Sequence, residues 1–151
     1  MTSLQYPRDR IVHDLYPPDY LKALLDGARV IGMVGASPEP WRPSFGIMRY
    51  LQRAGYRVIP VNPTHMGTQL HGEQVVSSLT EADAPVDLVN VFRRSDAIGA
   101  VVEDAIRANA PAIWLQLGIR NDEAAQRAEE AGMAVVMNRC ISVEHARLNR
   151  A

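Results

Sequence analysis

A single cysteine, Cys140, stands in 151 residues. No disulfide can form within the chain, and the fold is expected to rest on its apolar core in a reducing compartment, the cytoplasm. Charge of neither sign is in excess: sixteen Lys and Arg against seventeen Asp and Glu give a formal net charge of −1. Such a chain has no general attraction for nucleic acid or an anionic membrane, so any anion it holds must be held by a local arrangement of groups. No apolar run approaches the roughly eighteen residues that span a bilayer. Met1 to Arg10 is polar, carries both signs and lacks the apolar centre of a signal peptide. The four histidines, His13, His65, His71 and His145, show no metal-ligand spacing, and neither Gly-x-Ser-x-Gly nor an internal repeat is present.

What the chain does have is alternation. Residues 1–17 read as a loose leader, and residues 18–151 as a single domain. Five apolar runs read as strands: Val30–Val34, Tyr56–Val61, Val86–Phe92, Ala112–Leu117 and Ala134–Met137. Most are apolar on successive positions, as in strands buried on both faces. Pro60 inside the second run predicts an interrupted ladder there. Amphipathic stretches separate the runs: 19–25 after Pro17-Pro18, Gly46 to Ala54, Asp96 to Asn109 with Ser95 as cap, Asp122 to Ala131 with Asn121 as cap, and a last helix capped by Ser142. The segment 62–84 reads as turns with one short helical stretch. Alternating strands and helices with short connections predict an α/β fold: a Rossmann-like, doubly wound five-stranded parallel sheet in three α/β/α layers. Ligands of such sheets sit beyond the carboxyl ends of the strands, where the strand order reverses.

The first strand-to-helix turn, Gly35 to Gly46, therefore carries the most information. Gly35 and Ala36 are small enough for a ligand to approach the backbone, and Ser37 adds a hydroxyl. The free amides of a helix starting near Ser44 to Gly46 make an anion site, and Arg42 supplies a charge. The dinucleotide fingerprint Gly-x-Gly-x-x-Gly is absent. The second strand ends on neutral Asn62, where a nicotinamide-dinucleotide site usually carries a carboxylate. A carboxylate would repel a phosphate on the adenosine ribose, and Asn62 would not.

Several blocks together carry a resemblance: Gly35-Ala-Ser-Pro, Arg42-Pro-Ser44, Gly55-Tyr-Arg-Val-Ile-Pro-Val-Asn-Pro63, Val86-Asp-Leu-Val-Asn-Val-Phe-Arg93, Ile113-Trp-Leu-Gln-Leu-Gly118, Met137-Asn-Arg-Cys-Ile141 and Glu144-His-Ala-Arg-Leu148. Over roughly residues 25–148 the chain resembles the stand-alone coenzyme A-binding domain family, similar to the N-terminal domain of succinyl-CoA synthetase α subunits. The resemblance implies a coenzyme A (CoA) ligand with its diphosphate against Gly35, Ala36, Ser37 and the loop through Arg42, Ser44 and Phe45 to Gly46. It places the adenosine end against Val61, Asn62 and Pro63. The family commonly has a lysine after Val-Asn-Pro; here Thr64 and His65 follow, and Arg42, Arg93 or His65 is expected to compensate. Phe92 would pack on the adenine or the pantetheine, and Arg93 beside Arg94 would pair with phosphate. Gln116, Leu117 and Gly118 would pass the pantetheine arm. Cys140, at the same sheet edge, could meet the ligand's thiol.

The expectation is a binding module rather than an enzyme, holding CoA or an acyl-CoA as carrier, sensor or partner subunit. The phosphorylated histidine of the larger synthetases lies in a domain this chain is too short to include. The alternative is a nucleotide-dependent oxidoreductase or a thiol-exchange enzyme using Cys140; a third reading is a regulator whose occupancy controls a protein partner. Nucleic acid and membrane are not expected as partners.

Overall fold

The computed structural model of the chain describes residues 12–149. Its central sheet has five parallel strands: β1 (Val30–Val34), β2 (Arg57–Val61), β5 (Leu88–Val91), β6 (Ala112–Leu115) and β7 (Ala134–Val136), in the order β2-β1-β5-β6-β7. A two-stranded antiparallel ribbon, β3 (Gln69–Leu70) with β4 (Glu73–Gln74), occupies the segment expected to hold only turns and a helix. It turns on His71 and Gly72, both at positive φ, a tight hairpin that no hydrophobic pattern announces. Helices α1 (Pro18–Gly27), α2 (Pro43–Arg53) and α5 (Ile141–Leu148) cover one face of the sheet; α3 (Ile98–Arg107) and α4 (Asp122–Glu130) cover the other. The expected three-layer, doubly wound α/β architecture is the one observed.

Side-chain alternation builds the two layers. In β6, Ala112 and Trp114 join the core under α1, α2 and α5, while Ile113 and Leu115 join the core under α3 and α4. Both faces are covered, so β5, β6 and β7 are buried throughout, which is why these runs are continuously apolar. Asn90 is the exception: it is wholly buried in β5, between Met33 and Trp114, and neither end of its amide has a hydrogen-bond partner among the described residues.

Pro60 does not interrupt the ladder. β1 and β2 stay in register through Met33↔Pro60 and Val34↔Val61. β2 is an edge strand, and the Pro60 carbonyl accepts from Val76 N–H on its outer side. In a parallel strand the N–H and C=O of one residue point the same way, so the amide that proline lacks belongs to the outer edge. The opposite edge is covered by tyrosines. Tyr20 Oη donates to the Val135 carbonyl and accepts its N–H, and Tyr16 Oη accepts from Met137 N–H. Residues 12–16, expected within a loose leader, are thus pinned to the domain, with His13 held by Tyr16 and Glu129; residues 1–11 lie outside the described residues.

Two caps differ from expectation. Ser95 does not cap α3: residues Ser95–Ala97 form a 3-10 turn, and the Ser95 hydroxyl accepts from Arg120 N–H instead. Ser142 lies inside α5, whose N-cap is Cys140. Asn121 caps α4 as expected, accepting from Ala124 N–H.

Candidate functional site

The strand order reverses between β1 and β5: from β1 the chain moves to β2 on one side, then crosses back to β5 on the other. A cavity of about 540 Å³ opens there, at the carboxyl ends of the strands, where doubly wound sheets bind their ligands. Each strand sends its following residues into it: Gly35 and Ser37 after β1, Asn62 and His65 after β2, Phe92, Arg93 and Arg94 after β5, Gln116 and Leu117 after β6, and Cys140 beyond β7. Arg42 and Ser44, at the start of α2, close the ring.

Gly35 sits at φ +85°, and a Cβ on it would lie 2.4 Å from the Phe92 carbonyl oxygen and 3.3 Å from Arg93 Cδ. Glycine is therefore required both by backbone conformation and by the close passage of the β5 exit. The two serines are 8 % and 3 % exposed, Ser37 and Ser44 respectively. Ser37 N–H donates to Ser44 Oγ (3.1 Å), and Glu39 N–H donates to Ser37 Oγ (3.1 Å). Each hydroxyl oxygen thus accepts a loop amide, and neither hydroxyl donates to a protein group among the described residues. Two buried O–H donors remain for a ligand beside the amino end of α2, where the helix dipole favours an anion. α2 opens at Pro43, one residue before the expected start near Ser44 to Gly46.

The three arginines of the cavity are not equivalent. Arg42 Nε lies 3.2 Å from Glu39 Oε2, and Arg94 pairs with Asp96 at 3.3 Å. The Arg93 guanidinium has no ion pair or hydrogen bond among the described residues, while its stem runs over Gly35.

Asn62 acts on the loop. Its amide nitrogen donates to the Ala36 carbonyl (2.9 Å) and its amide oxygen accepts from Thr64 N–H (3.0 Å). An aspartate would lose the first of these bonds, so the neutral residue has a structural reason independent of any ligand. On the far side, Gln116 Oε1 accepts from Ile141 N–H (3.1 Å), bracing the start of α5 where Cys140 sits. Burial pushes the Cys140 thiol up, but hydrogen bonds from the Ser142 hydroxyl, the Val143 amide and Gln116 outweigh it, and the thiol titrates below its ordinary value.

Six of the expected residues do not line this cavity. Ala36 is fully buried in the core. Phe45 packs on the His71 ring at 4.3 Å between centroids, and its carbonyl meets His71 Nε2. Gly46 lies within α2 with nothing within 4 Å of a Cβ. Val61 is buried, its carbonyl accepting from Gly35 N–H. Pro63 opens a 3-10 turn, and Gly118 N–H donates to Asn138 Oδ1 (2.7 Å). Conversely, Glu39, Pro43 and Ile119 line the cavity without having been expected. The three-residue spacing of Glu39 and Arg42 was a readable signal; Ile119 had none, since it arrives by a turn closed by its own N–H on the Gln116 carbonyl.

Residues 29–146 match the model of a family described as CoA binding domain. The chain belongs to that family. The chain is 44 % identical over 126 residues to the uncharacterized protein YneT of Bacillus subtilis (strain 168), covering 83 % of this chain and 92 % of that one. Among solved structures, a Thermus thermophilus protein is 41 % identical with a TM-score of 0.84, covering 88 % of this chain and 99 % of its own. A hypothetical protein from Pyrococcus horikoshii OT3 is 33 % identical with a TM-score of 0.83, covering 95 % of this chain and 96 % of its own. The chain has no helix, among the described residues, long and apolar enough to cross a membrane.

Proposed function

We propose that the chain binds CoA or an acyl-CoA in this cavity without transforming it, as a carrier, a sensor or the ligand-holding partner of another protein in the cytoplasm. The observation that carries the reading is the pair of buried serine hydroxyls, Ser37 and Ser44, each accepting a loop amide and each left with its proton to donate among the described residues, in one cavity with Arg93, which has no partner among them. Convergent O–H and guanidinium donors suit a diphosphate, each charge-assisted bond contributing about 1.5–3 kcal/mol. On this reading the diphosphate lies across Gly35, Ser37 and Ser44, the adenosine end lies toward Asn62 and His65, and the pantetheine arm passes Phe92, Gln116 and Leu117 toward Cys140. Calorimetric titration with CoA, dephospho-CoA, ADP and NAD tests it. CoA is expected to bind most tightly, with dephospho-CoA weaker for want of the 3′-phosphate; tighter binding of NAD overturns the reading.

A second reading is favoured by one observation, the lowered titration of Cys140 inside the same cavity. The Cys140 thiolate would attack a sulfur of oxidised CoA disulfide, form a mixed disulfide with one CoA and release the other as its thiolate. Mass spectrometry after incubation with CoA disulfide tests it: a CoA adduct on Cys140, removed by dithiothreitol, is expected, and no adduct ends it.

A further inference from the structure

Glu39 is the one carboxylate among the described residues that line the cavity, and it stands where an anionic ligand is least compatible with it. The loop holds it there by three contacts. Arg42 N–H donates to the Glu39 carbonyl (3.0 Å), closing a turn that brings the two side chains together. Glu39 N–H donates to the buried Ser37 hydroxyl (3.1 Å). The carboxylate itself accepts from Arg42 Nε at 3.2 Å. A carboxylate and a phosphate present similar oxygen pairs to a guanidinium, so both fit the same face of Arg42.

We propose that Glu39 is a built-in counter-anion that holds Arg42 until a ligand phosphate displaces it, and so sets the affinity of the cavity. The proposal rests on the CoA reading of the cavity and adds regulation to it. It explains why Arg42, at the start of α2 close to Ser44, carries a partner, while Arg93, whose stem runs over Gly35, carries none among the described residues. A ligand must exchange the Glu39–Arg42 pair for its own contact with Arg42, so part of that contact is offset. Arg93 exacts no such exchange. The pair is half exposed, with side-chain exposures of 39 % for Glu39 and 63 % for Arg42, and pairs of this kind contribute little; the carboxylate therefore tunes binding and does not block it.

The test is a double-mutant cycle read by calorimetric titration with CoA on the wild-type chain, Glu39→Gln, Arg42→Ala and the double variant. Glutamine keeps an oxygen that can accept from Arg42 Nε and removes only the charge. Glu39→Gln is expected to tighten CoA binding by about two- to fivefold, and the same substitution in the Arg42→Ala background is expected to do clearly less. Unchanged or weaker binding by Glu39→Gln overturns the proposal. Equal tightening in both backgrounds also overturns it, because the carboxylate then acts by repulsion alone and not by holding Arg42. If wild-type and variant chains alike fail to bind CoA, the reading of the cavity falls and this proposal with it; if the wild type binds and Glu39→Gln binds no tighter, this proposal alone falls.

Discussion

The Gly35 α-carbon and the Phe92 carbonyl oxygen approach so closely that a Cβ on Gly35 would stand 2.4 Å from that oxygen. This contact fixes how the first loop leaves β1 against the exit of β5, and with it the floor of the cavity. Gly35→Ala is expected to destabilise the chain by about 2–4 kcal/mol, from the positive φ and the clash together. Gly46, by contrast, has open space around it inside α2, and Gly46→Ala is expected to stabilise by about 0.5–1 kcal/mol with CoA affinity unchanged. Chemical denaturation of the two variants checks both, and a stable Gly35→Ala chain would contradict this description of the loop.

The arginines should separate by their pairing. Arg93→Ala is expected to weaken CoA binding by about 1.5–3 kcal/mol. Arg42→Ala is expected to cost less, because Arg42 must first leave Glu39, and Arg94→Ala less again. Titration calorimetry ranks the three, and an Arg93→Ala chain that binds as the wild type does would remove Arg93 from the phosphate site.

Cys140 should alkylate as a thiol of lowered pKa, since hydrogen bonds to its sulfur outweigh the burial that opposes ionisation. Its rate with iodoacetamide is expected to rise with pH at a midpoint below that of an ordinary protein thiol, and saturating CoA is expected to slow it. Undiminished labelling in the presence of bound CoA would place the pantetheine arm away from Cys140.

Stability should fall on mild acidification. Burial is the main cause that lowers the titration of His71 and of His145, where Phe45 and Arg49 act on the first and Asp26 and Lys22 on the second. Below pH 6.5, the value of an unperturbed histidine, the unfolded chain takes up protons that the folded chain refuses. The stability present above that pH is lost as pH drops toward the lowered folded values, and the loss levels off beneath them. The melting temperature is expected to decline between pH 7.5 and 5.5, and a His71→Gln, His145→Gln double variant should show a flatter decline. An equal slope in that variant assigns the effect to other groups.

The architecture was legible because both faces of the sheet are covered, so burial is written as five apolar runs at regular intervals. Gly35, Ser37, Arg42 and Ser44 were legible from their place in the first strand-to-helix turn. Three things were not. The ribbon on His71 and Gly72 is too short to show a pattern. Pro60 reads as a defect in any strand until the strand is known to be an edge. The division of labour among Arg42, Arg93 and Arg94 depends on which carboxylates stand beside them, and for Glu39 that depends on a backbone turn. Asn90 is a fourth: nothing in its neighbours says that a buried amide between Met33 and Trp114 has no partner among the described residues.

The central claim, that the buried hydroxyls of Ser37 and Ser44 hold the diphosphate, is tested most directly by a crystal structure of the chain with CoA. Phosphate oxygens are expected within hydrogen-bonding distance of both hydroxyls, with the Arg93 guanidinium on the same diphosphate and the pantetheine arm running toward Cys140. A diphosphate lodged away from both serines, with the Gly35–Ser44 loop unvisited, would contradict the account.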